Sequence, residues 1–247
     1  MEDYGVGAAS RMQIAGGMMG ALQSAVMPLR DSPWTLRAIV ERAAETLRHG
    51  GVKALWFRVL GELGYRRAVL FELDLARYRR RDAIPAGVRF EVLSASSLED
   101  FLGLVSNCDE REARRRFEAD QVCVLGYVGG KPAYSSSFAP GPVRIDYFAL
   151  HASPSPGAVY TYDVYVDPAF RGLGLSNLGM DFRVKLLRER GFSKCVSVVV
   201  PENRAGTHHT LSCDFQPIGW VRCLSVGRLK RCWIRTSVEP APLRLAG

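Results

Sequence analysis

The residues of this chain best suited to chemistry are Arg171-Gly172-Leu173-Gly174-Leu175-Ser176, a Gly-x-Gly turn between a strand-like run and a helix-like run. Glycine lets a backbone approach a ligand with no Cβ in the way. The first turn of a helix adds unpaired N–H groups and the positive end of its dipole. A turn of this kind suits an anion, and a phosphate above all. It is not a dinucleotide fingerprint, which needs a third glycine in register and an acidic residue at the next strand's end, nor a P-loop, which needs Gly-Lys-Ser/Thr. Just before the turn, the strand-like Tyr160 to Val166 carries one carboxylic acid, Asp163. Burial among apolar neighbours raises a carboxyl's pKa toward the range of a general base, acting directly or through water, so Asp163 is the first candidate for that role. The alternative is a structural carboxylate held by backbone or by a Tyr hydroxyl. Downstream, His208 and His209 titrate near neutral pH and could serve as acid or base, or could be ordinary helix residues.

The hydrophobic pattern outlines the elements that must position these groups. Aromatic and β-branched residues make Tyr160 to Val166 a strand. With a period of two, Tyr160, Tyr162 and Val164 face one way and Asp163 and Tyr165 the other, unless a bulge shifts the register. Leu175, Leu178, Phe182 and Leu186 mark one face of a helix ending near Gly191. Upstream, Val88 to Leu93 reads as a strand, Ser97 to Val105 as a helix capped by Ser97, and Glu110 to Asp120 as a second helix. Val122 to Val128 and Ala133 to Phe138 flank Gly129-Gly130 as a hairpin. Prolines at 140, 142, 154 and 156 bracket one further strand within Val143 to Leu150. Lys194 to Val200 is a strand, a short helix ends at Asp214-Phe215, and Trp220 to Ser237 supplies two closing strands that turn near Gly227. This order gives a mixed α/β sheet covered on both faces.

The segment around Arg171 to Ser176 resembles motif A of the GNAT superfamily of acyl-CoA-dependent N-acyltransferases, Gln/Arg-x-x-Gly-x-Gly/Ala, with Ser176 in place of the final small residue. The likeness runs on through Lys194 to Val200 into Pro201-Glu202-Asn203 and Asp214-Phe215, and covers roughly residues 88–238. It implies a mixed, mostly antiparallel central sheet flanked by helices. It also implies an acyl-CoA co-substrate, acetyl-CoA in the commonest case, with no metal. Arg171, Gly172, Leu173, Gly174, Leu175 and Ser176 would then hold the CoA phosphates, the backbone of Val164, Tyr165 and Val166 the pantetheine arm, and Asn203 would join the cofactor site. Tyr160 and Tyr162 would wall the acceptor pocket. Many members of the superfamily carry, seven residues after the Asn, a Tyr that protonates the leaving thiolate. Here that position is Thr210, a poor acid, with His208 and His209 beside it. The implied activity is transfer of acetyl to a primary amine of a small molecule such as an amino sugar, amino acid or natural-product amine. A long-chain acyltransferase, an aminoacyl-tRNA-dependent transferase and a non-catalytic CoA-binding module are the alternatives.

The rest of the chain sets bounds. With 247 residues, of which 47% are hydrophobic, it can bury a full core. Six cysteines form no C-x-x-C pair and no zinc-spaced cluster, which points to reduced thiols and a cytoplasmic setting. The charge of +8 suits CoA phosphates or an anionic or carrier-linked acceptor, and no RNA-reading motif accompanies it. Residues 1–33 read as a flexible arm too glycine-rich to span a membrane, with a signal or anchor as the alternative. Residues 34–86 read as a helical hairpin, broken at Gly50-Gly51, plus a strand over Arg67 to Leu73. Its second helix mixes Trp56 and Phe57 with basic residues in a way that also suits a membrane surface. Residues 87–247 form the acyltransferase domain, and a homodimer is an open expectation.

Overall fold

The computed structural model describes residues 63–79, 84–105, 108–227 and 229–246, with scattered helical positions between 44 and 61. The arm at 1–33 and much of the hairpin lie outside the described residues. Eleven strands and four α-helices are described. The strands are β1 (Tyr65–Asp74), β2 (Val88–Val92), β3 (Val122–Val128), β4 (Lys131–Ala139), β5 (Val143–Ile145), β6 (Leu150–Pro154), β7 (Ala158–Val166), β8 (Lys194–Val199), β9 (Gln216–Val226), β10 (Leu229–Thr236) and β11 (Leu243–Ala246). The helices are α1 (Leu98–Leu104), α2 (Glu110–Glu118), α3 (Leu175–Glu189) and α4 (Arg204–Ser212).

Eight strands form one sheet in the order β10-β9-β1-β8-β7-β4-β3-β2. Every neighbouring pair is antiparallel except β7 and β8. Side chains alternate between its two faces. On β3, Val122 and Val124 join Leu175, Leu178, Met180, Val184 and Leu187 of α3 on one face, while Cys123, Leu125 and Tyr127 meet Phe101, Leu104 and Ala113 of α1 and α2 on the other. The buried stripe of α3 therefore centres on Met180, Val184 and Leu187, and Phe182 and Leu186 of the expected face lie at its half-buried margin. Gly179 brings α3 onto β4, because a Cβ there would stand 2.4 Å from the Tyr134 ring.

Three features differ from the sequence reading. β1, expected in the extension, lies inside the main sheet, paired to β8 and β9, with Ala68 and Leu70 buried on one face and Phe71 and Leu73 on the other. The stretch between the prolines holds two strands rather than one. Asp146–Phe148 turns β5 into β6, and β11 adds a third strand to make a small sheet over the face opposite α3. Finally, Cys223 and Cys232 stand opposite each other in the β9–β10 register and form a disulfide, where all six thiols were expected free. Their spacing matches no short motif; only the hairpin brings them together. Cys108, Cys123, Cys195 and Cys213 are buried and form no disulfide.

Candidate active site

The parallel pair β7–β8 opens. It is in register from Ala158↔Lys194 to Thr161↔Ser197 and no further, although β7 stays paired to β4 as far as Val166 and β8 to β1 as far as Val199. The edge of β7 that faces β8 beyond Thr161 is thus left without a strand partner among the described residues. Past the fork, β8 leads through Pro201-Glu202 into α4. Arg67 of β1 holds that turn by an ion pair to Glu202 at 3.1 Å.

After β7 the chain makes a short turn over Pro168–Phe170 and enters α3 through the glycine turn. Gly172 and Gly174 have φ of +84° and +69°, a conformation that costs a residue with a Cβ about 1–2 kcal/mol. Nothing lies within 4 Å of where either Cβ would stand, so open space faces the turn. Gly174 caps α3 with no side-chain hydrogen bond, and the first turn carries no acidic residue. Uncapped N–H groups, the helix dipole and the exposed Arg171 together have the chemistry to receive an anion. With the unpaired edge of β7 alongside, the residues present fit an acyl-CoA.

Asp163 marks a bulge. The β4–β7 register slips between Ser135 and Ser137, and Asp163 has φ of +51°. The slip inverts the alternation along β7. Tyr160 and Tyr162 point to the β5–β6 side, Val164 and Val166 to the α3 side, and Tyr165 to the side of α1 and α2. This corrects the uninterrupted alternation, which put Val164 with the two tyrosines. Asp163 and Tyr162 instead converge on one partner, Arg116 of α2, which lies 3.0 Å from Asp163 Oδ2 with its guanidinium 5.2 Å from the Tyr162 ring. Arg116 is buried and pairs also with Glu112 at 3.0 Å.

The Asp163 side chain is 34% exposed at the end of this chain of charges, not sunk in an apolar strand. Crowding by protein atoms pushes its carboxyl up from the ordinary value and Arg116 pulls it down. Burial pulls the Arg116 guanidinium down, but Asp163, Tyr162 and Glu112 more than offset this and hold it charged. Tyr160 and Tyr162 stack with ring centroids 5.7 Å apart, and the Tyr162 hydroxyl donates to Gln121. A cavity of about 400 Å³ beside Gln121 extends to Arg190 and Phe192. These follow the C-terminus of α3, roughly 20 Å from its glycine turn by helix rise.

On α4, Asn203 Oδ1 accepts from Gly206 N at 2.8 Å and caps the helix. His208 is exposed, His209 largely enclosed and Thr210 buried. Burial, followed by the charges of Arg183 and His208, lowers the His209 pKa to about 4, so its ring is neutral at physiological pH. No contact joins His208, His209 or Thr210 to Asp163. The sequence reading missed Arg116. The signal was its place three residues after Ala113, on the buried stripe of α2.

The geometry brings together an open parallel fork and an uncapped, glycine-led helix start. Residues 91–215, half of the chain, match the acetyltransferase (GNAT) family. The chain belongs to this family of acyl-CoA-dependent N-acyltransferases. No curated protein matches the sequence. Among solved structures it is similar to a GCN5-related N-acetyltransferase from Kribbella flavida, with 18% identity over 68% of this chain and 60% of that one and a TM-score of 0.45. Another GCN5-related N-acetyltransferase, from Sphaerobacter thermophilus, shows 12% identity over 70% and 55% with a TM-score of 0.45. A ribosomal-protein-alanine N-acetyltransferase from Brucella melitensis shows 18% over 51% and 89% with a TM-score of 0.41. The chain thus spans less than two thirds of the length of the first of these. No helix among the described residues is long and apolar enough to cross a membrane.

Proposed function

We propose that the protein is an N-acetyltransferase that moves acetyl from acetyl-CoA to a primary amine of a small molecule. The observation that carries this reading is the free edge of β7 beyond Thr161, running directly into the glycine turn at the start of α3. The backbone N–H groups of Gly172 to Ser176, with Arg171, hold the pyrophosphate. Val164 to Val166 offer main-chain donors and acceptors to the pantetheine arm. When bound, acetyl-CoA supplies an activated acyl group as its thioester.

The chain's own residues prepare the amine. Asp163 keeps one carboxylate oxygen on Arg116 and turns the other toward the acceptor, where it removes the amine proton directly or through a water. Tyr160 and Tyr162 wall the acceptor's approach, and the Asp146–Phe148 turn of the small sheet, exposed at Asp146, borders it. The net positive charge suits an acceptor that is anionic or carrier-linked.

The test is release of CoA thiol from acetyl-CoA and from longer acyl-CoAs against a panel of amines, with CoA affinity measured in parallel by calorimetry. Turnover with acetyl-CoA and at least one amine is the expected result. The buried Thr210, standing where many relatives carry an acid, favours one second reading, a module that binds CoA without turnover. CoA binding with no turnover on any amine would establish that second reading.

A further inference from the structure

Arg183 of α3 is 2% exposed. Its Nη1 donates to Thr161 Oγ1 at 2.5 Å, its Nη2 lies 2.9 Å from Met180 Sδ, and its Nε has no partner. Among the described residues no carboxylate forms an ion pair with it. Asp181, two residues away, accepts instead from the Tyr78 hydroxyl. Arg116, the other buried arginine, has two carboxylates. A cation taken out of water without a counter-charge is costly, and buried charges are normally paired.

Three groups that feel the charge of Arg183 do not balance it: the Tyr134 hydroxyl of β4, the Cys195 thiol of β8 and the His209 ring of α4. Burial holds the first two protonated and the third neutral, so none of the three offsets the guanidinium. Its place in the fold is specific. Thr161, which takes the Nη1 hydrogen bond, is the last residue of β7 still paired with β8, so the guanidinium sits at the base of the fork with β4, β7, β8 and α4 around it.

We infer that Arg183 stabilises the negative charge that develops on the departing sulfur as the acyl group leaves CoA, an inference that rests on the acyl-CoA reading above. The amine nitrogen bonds to the thioester carbonyl carbon, the C–S bond breaks with its electron pair going to sulfur, and the amine proton passes to Asp163. CoA leaves as a thiolate that solvent later protonates. Neither the threonine hydroxyl at 210 nor the neutral His209 is suited to protonate it, and a fixed cation in a water-poor fork supplies the equivalent stabilisation. The cost of an unbalanced buried charge is then recovered when the partner charge forms.

The experiment is a pH titration of enzyme-bound CoA followed by thiolate absorbance, with the desulfo-CoA complex subtracted to remove the protein's own thiols. Wild type, Arg183→Met and Arg183→Lys are compared, together with thermal stability and turnover of acetyl-CoA. The expected thiol pKa in wild type lies at least about one unit below that of free CoA, a tenfold gain in thiolate at a given pH. Arg183→Met should return it to the free value and slow turnover about 100-fold. The same variant should keep or raise the melting temperature, because a hydrophobe replaces an unpaired buried charge. Arg183→Lys keeps the charge and should keep the lowered thiol pKa.

Equal thiol pKa values in wild type and Arg183→Met would overturn the inference, and a lower melting temperature beside those equal values would make Arg183 a scaffold residue. If Arg183→Met does not fold, an unshifted thiol in Arg183→Lys overturns the inference equally. Failure of the wild type to bind CoA would remove the proposed function as well, so the two readings fail separately.

Discussion

Arg116 Nη2 lies 3.0 Å from Asp163 Oδ2, and this pair ties α2 to the bulge of β7. A left-handed backbone at a non-glycine residue costs about 1–2 kcal/mol, least for Asp and Asn, whose short polar side chains bond locally. The ion pair helps offset that cost at Asp163. In return, the bulge turns Val164 and Val166 toward α3 while Tyr162 and Asp163 reach the opposite side.

If Asp163 removes the amine proton, Asp163→Asn should lower kcat/KM by about 10²- to 10⁴-fold and leave CoA affinity nearly intact. The loss should shrink at high pH, where the free amine is already neutral. A steady-state pH profile of both proteins measures this. A loss constant across pH would make Asp163 a scaffold carboxylate, and an unchanged rate would remove it from the reaction.

Arg116→Met separates the partner from the base. The guanidinium lowers the Asp163 pKa, so without it the carboxyl stays protonated to higher pH and the acid limb of kcat/KM should move upward. Stability should fall by roughly 2–3 kcal/mol in denaturant unfolding. That is less than the 3–5 kcal/mol of a fully buried broken pair, because a third of Asp163 meets solvent. Destabilisation with an unmoved acid limb would show that the pair serves the fold alone.

Local pattern made much of this legible. The glycine turn, the strand before it, the α3 register near Leu175 and Leu178, and the β9–β10 turn at Gly227 all rest on neighbours in sequence, and the structure has them there. What the sequence concealed depends on distant pairing. Nothing within Tyr65–Asp74 says that it pairs with β8 and β9, and Leu243–Ala246 carries no mark of its partner β6. The Asp163 bulge is set by its register against β4, which no period-two reading contains. Arg116 and Arg183 look like surface charges until their helices are laid on the sheet.

Two glycines of α3 and its entrance should respond in opposite ways. Gly174→Val meets open space, so its folded-state cost is the backbone one of about 1–2 kcal/mol, while CoA affinity should be lost because the turn can no longer approach the pyrophosphate. Gly179→Ala drives a Cβ into the buried Tyr134 ring and should cost about 1–3 kcal/mol or more of stability, with CoA affinity per folded molecule little changed. Calorimetry with CoA and thermal unfolding of the two variants give the comparison. Unchanged CoA affinity in Gly174→Val would place the phosphates elsewhere.

His209 predicts the acid behaviour of the fold. Its pKa falls from 6.5 to about 4 in the folded protein, chiefly through burial, so below pH 6.5 the unfolded chain takes up a proton that the folded one refuses. Its contribution to stability is complete above pH 6.5, declines as pH falls and levels off below about 4. Between those limits the slope is up to about 1.4 kcal/mol per pH unit. His209→Gln removes this term but not those of other groups, so the wild type should lose stability relative to the variant over that window and run parallel to it above pH 7. Urea unfolding at pH 4.5, 5.5, 6.5 and 7.5 measures the gap. Curves that stay parallel throughout would mean that the ring ionises as freely in the fold as in the unfolded chain, which would take His209 out of the buried cluster around Arg183.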